Sequence, residues 1–254
     1  MNIRALGATG IRVGEIGMGC EGFIGKTRQE VREFLDVMER SGANLIDLYS
    51  PDPEMRSALG EAMAGRRDSF VLQAHLCTIW KDGQYERTRD IGEVRQSFED
   101  QLARLGTSWV DIAMIHYVDS VSDWNAVESG EVMRYAQALR REGRARAVGL
   151  SSHNPAAARL AVESGKIDVL MFSVNPCYDL LPANEDVERL WAAESYAGPL
   201  VNMDPEREAL YEACQRRGVG ITVMKAFGGG DLLTADSPAG VALTVEQCIH
   251  YALT

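Results

Sequence analysis

The feature that most constrains the fold of this sequence is the regular alternation of short apolar runs with longer amphipathic stretches. Seven runs are nearly continuous in apolar residues, which is typical of strands buried on both faces. They begin at Ile16, Ala43, Phe70, Val110, Arg146, Asp168 and Gly220. Strands in series with intervening helices predict a parallel sheet joined by right-handed crossovers.

Seven stretches with helical periodicity lie between or after these runs. They cover Arg28–Ser41, Pro53–Ala64, Ile91–Leu105, Glu131–Glu142, Pro155–Ser164, Pro205–Arg217 and Thr244–Ala252. Glycines just past several stretches, such as Gly42 and Gly218, indicate helix C-termini. The pairs Asn154–Pro155 and Asp204–Pro205 each place a capping residue before a proline at the first helical position.

Two architectures fit this series, an open doubly wound sheet and a (β/α)8 TIM barrel. No G-x-G-x-x-G motif follows the first strand, which disfavours a dinucleotide-binding open sheet. We therefore predict a single barrel domain over residues 1–254. The sequence ends at Thr254 inside the seventh helix, so we expect a barrel truncated after the seventh βα unit.

Composition excludes several classes of protein. Lys and Arg number 26 against 37 Asp and Glu, a formal net charge of −11, and no dense basic cluster suggests a nucleic-acid or anionic-membrane partner. The N-terminal MNIRALGATG lacks the apolar centre of a signal peptide, and no apolar stretch is long enough to span a membrane. Five widely spaced cysteines without a CxxC motif argue against disulfides and against a local metal site. We expect a reduced, cytoplasmic protein without a bound metal.

Two connections are longer than a barrel needs, residues 77–90 and residues 176–204. Both follow strand C-termini, where the βα-loops of barrels build active sites. The second is predicted to be either a substrate lid or a solvated insertion. Four aromatic residues in or near such loops are candidates for lining the pocket, or for simply covering the core: Trp80, Tyr85, Trp124 and Tyr178.

Polar residues collect at the C-terminal ends of the predicted strands. Asp47 ends the second strand, with Tyr49 on the same side, while His75 and His116 end the third and fourth strands. The later strands are followed by His153, Asn175 and Lys225. This convergence predicts an active site at one mouth of the barrel. Carbonyl reduction and metal-assisted hydrolysis could both use such a cluster, and composition does not choose between them.

Five segments resemble the aldo-keto reductase family. They are Arg4–Val13 with the following IGMGC, GANLIDLY, Ser97–His116, REGRARAVGLSSHNP and Val219–Leu233. They run in order through almost the whole chain. The resemblance implies a (β/α)8 barrel that uses NADPH, or less often NADH, to reduce aldehydes and ketones.

The family's catalytic set is an aspartate, a tyrosine, a lysine and a histidine, and only half of it is retained. The resemblance matches Asp47 to the aspartate and His116 to the histidine, but places Asp52 at the tyrosine position and His75 at the lysine position. Tyr49 could supply a phenol from a different backbone position. We expect a histidine, rather than Tyr49, to act as the acid, because a nearby carboxylate favours a charged imidazole. The alternative is that Asp47 and His75 form a fixed pair without turnover.

Cofactor contacts implied by the resemblance are carried over in part. The implied cofactor is NADP(H) or NAD(H), and the eighth strand and following helix, which would distinguish them, are absent from this sequence. The matching or substituted positions are Ser151, Ser152, Asn175, Met224, Lys225, Gly228, Gly229 and Gly230. The glycines would let the backbone approach a pyrophosphate, or would form a flexible loop.

Three functions remain open from the sequence. The first is an NAD(P)H-dependent oxidoreductase that reduces a small carbonyl or sugar-like substrate by direct hydride transfer. The second is a non-catalytic barrel that senses NAD(P)H or binds a partner. The third is a metal-dependent enzyme that uses Asp47, His75 and His116.

Overall fold

The structure, a computed structural model, describes residues 1–181, 189, 192–196 and 202–254. The strands are β1 Ile3–Ala5, β2 Arg12–Gly14, β3 Met18–Gly19, β4 Leu45–Leu48, β5 Val71–Leu76, β6 Thr78–Lys81, β7 Gln84–Arg87, β8 Val110–Ile115, β9 Ala145–Ser152, β10 Val169–Ser173 and β11 Gly220–Met224. The α-helices are α1 Arg28–Ser41, α2 Pro53–Met63, α3 Ile91–Leu105, α4 Val121–Ser129, α5 Glu131–Arg141, α6 Pro155–Glu163, α7 Pro205–Arg217 and α8 Val245–Leu253.

The main sheet has seven strands in the order β11-β10-β9-β8-β5-β4-β3. Each strand therefore lies beside its predecessor in the series, with the β6–β7 hairpin set aside as a separate two-stranded sheet. The pairs β3–β4, β4–β5, β5–β8 and β10–β11 are parallel. A doubly wound sheet would reverse its strand order at a switch point, so this order supports the barrel topology.

The chain divides into two compact units. The first comprises residues 1–116 and 127–149, and the second comprises residues 117–126 and 150–254. The single-domain assignment of residues 1–254 stays a prediction. Much of the connection 176–204 lies outside the described residues, so its interpretation as a lid or an insertion also stays a prediction. No helix in the described ranges is both long and apolar enough to cross a lipid bilayer.

Helix α1 shows why several helix limits could be read from the sequence. The Thr27 side chain accepts a hydrogen bond from the Glu30 amide, and the Glu30 side chain returns one to the Thr27 amide. This capping box satisfies free amides of the first turn. At the other end, Gly42 adopts a left-handed conformation with φ 81° that ends the helix. The predicted limits Arg28–Ser41 are confirmed.

Two elements were not predicted from the sequence. Helix α4 forms after Ser120, whose side chain accepts the Asp123 amide at 3.0 Å, and it buries Trp124. The connection 77–90 contains the β6–β7 hairpin, which turns at Asp82 and Gly83, both with positive φ. The strand predicted from Ile16 is shorter than expected, because only Met18–Gly19 pair with β4 and a 3-10 turn follows.

The packing of α2 on α3 requires a glycine. A Cβ atom on Gly60 would lie 2.1 Å from the Arg104 carbonyl oxygen and 2.8 Å from the Leu105 Cα atom. These are backbone atoms, so the two helices would have to separate.

We expect Gly60→Ala to lower the free energy of unfolding by about 1–3 kcal/mol in urea titrations, because overpacking outweighs alanine's better helix propensity. Gly19→Ala is the control, because no atom lies within 4 Å of a Cβ built on Gly19 and its φ is −76°. Equal losses in both variants would contradict this account.

Candidate active site

The centre of the site is a buried carboxylate at the end of β4. Asp47 is opposite Gln73 in the parallel register of β4 and β5. The Gln73 amide nitrogen donates to Asp47 Oδ1 at 2.7 Å, and His75 Nε2 lies 2.9 Å from the same oxygen. Gln73 and His75 are two residues apart on one strand, so both side chains project from the same face. Asp47 is 9% exposed and His75 is 3% exposed.

Hydrogen bonds continue from His75 towards the surface. His75 Nδ1 lies 2.6 Å from His116 Nδ1, and His116 Nε2 lies 2.7 Å from the Tyr85 hydroxyl oxygen. Tyr85 belongs to β7 and is 36% exposed. We refer to Asp47, His75, His116 and Tyr85 as the histidine line. It connects a buried carboxylate to an accessible phenol through two imidazole rings.

The distances restrict where protons can lie. Two facing ring nitrogens at 2.6 Å form a hydrogen bond only when one of them carries a proton, since two lone pairs or two N–H groups repel. His75 Nε2 faces the Asp47 carboxylate, which accepts hydrogen bonds, so it carries a proton. The paired rings therefore hold either two protons, and are neutral, or three, and carry one positive charge that Asp47 balances.

Tyr49 lies beside the histidine line but is engaged elsewhere. Its ring is stacked on His116 with an interplanar angle of 12°, and its hydroxyl donates to Glu21 Oε1 at 2.5 Å. Burial, together with this hydrogen bond, raises the pKa of the Tyr49 phenol well above its usual value. Tyr49 is therefore placed near the predicted centre as a poor acid whose proton faces Glu21.

The proposed metal ligands do not converge on one point. The facing nitrogens of His75 and His116 are directed at each other, and the second His75 nitrogen is directed at Asp47. Within the described ranges, no group of three or more His, Cys, Asp or Glu side chains has the arrangement of a metal site. All five cysteines are buried as free thiols, and burial raises the pKa of Cys20 to about 12. The donor geometry of this site favours proton transfer over metal binding.

The cofactor-binding candidates lie in the second unit. The Ser151 hydroxyl accepts the Tyr117 amide at 2.8 Å. The Ser152 hydroxyl donates to Asp119, which also lies 2.8 Å from His153 Nδ1. Both serines are buried at the end of β9, so they shape this strand end through fixed hydrogen bonds.

Asn175 is also engaged with the backbone. Its side-chain oxygen accepts the Cys177 and Tyr178 amides, and its nitrogen donates to the Lys225 carbonyl at 3.0 Å. These bonds join the segment after β10 to the segment after β11. Asn175 therefore fixes the position of the Lys225 backbone within the second unit.

The glycine-rich segment after β11 has a backbone conformation that favours glycine, and the Gly228 and Gly230 amides donate to the Lys225 and Phe227 carbonyls. Gly228, Gly229 and Gly230 all have positive φ, from 58° to 108°. No atom lies within 4 Å of a Cβ built on Gly229 or Gly230, so a ligand can approach the backbone there. Lys225 supplies a positive charge nearby in the sequence, and Met224 is half-buried at the strand end. These residues fit a pyrophosphate-containing cofactor.

Sequence reasoning placed Asp47, His75 and His116 together, and the structure brings these three side chains into contact. The sequence did not predict a role for Gln73, or the hydrogen bond between Tyr85 and His116. Gln73 could have been noticed as a polar residue two positions before His75 in an apolar strand. Tyr85 could be connected to His116 only once the β6–β7 hairpin was recognised, because the hairpin sets the direction of its side chain.

Comparisons with known proteins show the family of the chain. The model of the aldo/keto reductase family matches residues 15–241, and the chain belongs to this family. Curated relatives include the uncharacterized oxidoreductase YqkF of Bacillus subtilis, 25% identical over 175 residues that cover 67% of this chain and 55% of that protein. L-galactose dehydrogenase of Arabidopsis thaliana is 29% identical over 159 residues, covering 59% of this chain and 48% of that protein. The chain thus spans about half the length of these relatives.

Solved structures show the same fold. A Pseudomonas aeruginosa protein assigned to the aldo-keto reductases has a TM-score of 0.70 and 24% identity, covering 99% of this chain and 93% of that one. The holo form of an aldo-keto reductase from Bacillus halodurans has a TM-score of 0.71 and 21% identity, covering 92% and 69%. The predicted fold class, a (β/α)8 barrel, is confirmed.

Proposed function

We propose that this chain carries the active site of an NAD(P)H-dependent oxidoreductase that reduces a small carbonyl or sugar-like substrate. The histidine line is the observation that carries the proposal. Carbonyl reduction needs a hydride for the carbonyl carbon and a proton for its oxygen. A buried carboxylate linked through two imidazoles to an accessible phenol can supply that proton.

The second unit offers residues that would hold the cofactor. A reduced nicotinamide, when bound, supplies the hydride. Ser151, Asn175 and Met224 would contact its ring region, as the family resemblance implies. The open backbone at Gly229 and Gly230 and the charge of Lys225 suit a pyrophosphate. NADPH and NADH both fit this description.

His75 stands at the family's lysine position, so the histidine line has an imidazole pair where the resemblance implies a lysine and a histidine. A positive charge on the pair would lie beside the Asp47 carboxylate, because His75 Nε2 is 2.9 Å from Asp47 Oδ1. That charge takes the place of the missing lysine. The pair differs from a lysine in that it can return its proton to a neighbouring oxygen and become neutral.

The test is a direct assay of the purified chain. NADPH and NADH are each mixed with a panel of aldehydes, ketones and reducing sugars, and the nicotinamide absorbance is followed. We expect carbonyl-dependent oxidation of at least one cofactor. Quenching of protein fluorescence by NADPH without any oxidation across the panel would support the sensing role instead. Stoichiometric metal in elemental analysis, with activity lost on chelation, would support the metal-dependent alternative.

A further inference from the structure

We propose that Tyr85 is the residue that delivers the proton to the substrate oxygen, and that His116, His75 and Asp47 act through it as positioning residues. This inference rests on the proposed reductase function. It differs from the family pattern, in which the acid follows the second barrel strand, and from our expectation that a histidine is the direct acid.

Both histidines already use both of their ring nitrogens. His75 contacts His116 through Nδ1 and Asp47 through Nε2. His116 contacts His75 through Nδ1 and Tyr85 through Nε2. A histidine could donate directly to a substrate only after one of these bonds had broken. A phenol oxygen, by contrast, can accept a hydrogen bond from His116 while its own O–H is directed at another acceptor.

Of the four ring nitrogens, only His116 Nε2 can gain or lose a proton while all three hydrogen bonds persist. The Nδ1–Nδ1 contact needs one proton, and the contact with Asp47 needs one on His75 Nε2. The remaining contact, between His116 Nε2 and the Tyr85 hydroxyl, can form with either group as the donor. Tyr85 donates to a neutral His116, and it accepts from a protonated His116. The charge of the pair therefore decides which way the Tyr85 hydroxyl is oriented.

The β6–β7 hairpin holds Tyr85 in place. Thr88 at its base donates its amide to the Cys77 carbonyl, and Arg89 donates to the His116 carbonyl at 2.8 Å. Tyr85 is directly opposite Trp80 in the hairpin register, so both side chains project from one face. Both are more than a third exposed. The hairpin thus presents the phenol on an accessible aromatic surface while its base is fixed next to His116.

The proton balance closes over one turnover. At the start, His116 is doubly protonated and its Nε2–H donates to the Tyr85 oxygen. The Tyr85 O–H bond breaks and a new O–H bond forms on the substrate oxygen from the electron pair of the carbonyl π bond, while the carbonyl carbon gains the hydride that a bound reduced nicotinamide would supply. Tyr85 then takes the Nε2 proton, which leaves both rings neutral and Tyr85 donating back to His116. A proton from solvent restores the charged pair.

The experiment compares Tyr85→Phe with two other tyrosine substitutions. Tyr49→Phe removes the neighbouring phenol that is bonded to Glu21. Tyr135→Phe removes a buried hydroxyl on α5 that meets no hydrogen-bond partner in the described part of the chain, and serves as the control for losing a phenol oxygen. We expect Tyr85→Phe to lower kcat about 100-fold with little change in KM, because it removes the general acid. Tyr49→Phe should lower kcat by a smaller factor, and Tyr135→Phe should have the same kcat as the wild type.

A second measurement needs neither cofactor nor substrate. In protein labelled with 15N-histidine, His116 Nε2 should be the one nitrogen of the His75–His116 pair that changes protonation in an NMR titration, with the His153 and His250 signals assigned from His153→Ala and His250→Ala variants. Tyr85→Phe should shift the signal and the titration midpoint of that nitrogen, and Tyr135→Phe should leave both unchanged. The kcat of the wild type should fall as the pH rises, with the same midpoint as this NMR titration.

The possible failures can be told apart. A wild-type protein that oxidises no nicotinamide with any carbonyl overturns the proposed function, and proton delivery with it. An active wild type with kcat within about threefold in Tyr85→Phe overturns only the assignment of Tyr85. A larger loss in Tyr49→Phe than in Tyr85→Phe would transfer the role to Tyr49. An unchanged histidine titration in Tyr85→Phe would show that the hydrogen bond to His116 is merely structural.

Discussion

Replacing His116 with alanine is expected to lower kcat about 100-fold, the same loss as that expected for Tyr85→Phe, because His116 acts through the Tyr85 hydroxyl. The substitution removes the ring that contacts both His75 and Tyr85, so the accessible phenol is cut off from the buried carboxylate. His116 is not one of the residues proposed to hold the cofactor. We therefore expect the Kd for NADPH, measured by fluorescence quenching, to change less than about threefold.

His250→Ala is the matched control for this prediction. His250 is exposed on α8 and has no part in the histidine line, so its loss should leave both turnover and cofactor affinity as they are. Thermal unfolding of both variants checks that each is folded. Weakened cofactor binding with unchanged turnover in His116→Ala would refute a role for this residue in proton transfer.

The largest effect on stability is expected from Arg207→Met. Arg207 is 1% exposed, and its guanidinium donates to Asp179 Oδ1 and to the Ser173 carbonyl, both at 2.9 Å. Two phenols, Tyr211 and Tyr251, also donate to the Asp179 carboxylate. Methionine fills much of the space but leaves a buried carboxylate without a countercharge. The free energy of unfolding should fall by about 3–5 kcal/mol.

Urea titration measures this loss, and two further variants identify its cause. Arg216→Met on the same helix breaks an exposed pair with Glu212 and should cost less than about 1 kcal/mol. Adding Asp179→Asn to Arg207→Met should restore part of the stability, because it removes the unbalanced charge. If the double variant were as unstable as the sum of the two single ones, lost packing rather than charge would explain the effect.

Helix limits were the most predictable part of the fold, because they depend on local chemistry. Asp204 caps α7 by accepting the Glu206 and Arg207 amides, and Gly218 ends the helix with φ 67°. Both residues act on their immediate neighbours, so sequence spacing reveals them. Helix α4 was missed although Ser120 is an N-cap of the same kind. Its hydrophobic periodicity is weak, so no amphipathic pattern marks it in the sequence.

The hairpin after β5 shows a different limit. Asp82–Gly83 is a known signal for a two-residue hairpin turn, but the flanking residues include Lys81 and Gln84, which do not resemble a buried strand. An exposed two-stranded hairpin lacks the apolar pattern on which strand prediction depends.

The candidate site was predictable only in part, for a related reason. Asp47, His75 and His116 end buried strands, and parallel strands bring their ends together at one edge. Tyr85 reaches His116 from outside the main sheet, across 31 positions of sequence. That contact depends on how the hairpin is folded back, which no short-range pattern encodes.

The separateness of the β6–β7 hairpin has a consequence for how such enzymes diversify. Its two strands bond to each other and not to the seven-stranded sheet, so insertions at the Asp82–Gly83 turn would leave the sheet's ladder of hydrogen bonds intact. Changes confined to this one surface loop could therefore replace the proposed proton donor, Tyr85, during evolution. Grafting residues 78–87 onto a relative with the same histidine pair would transfer Tyr85 together with the hairpin that positions it.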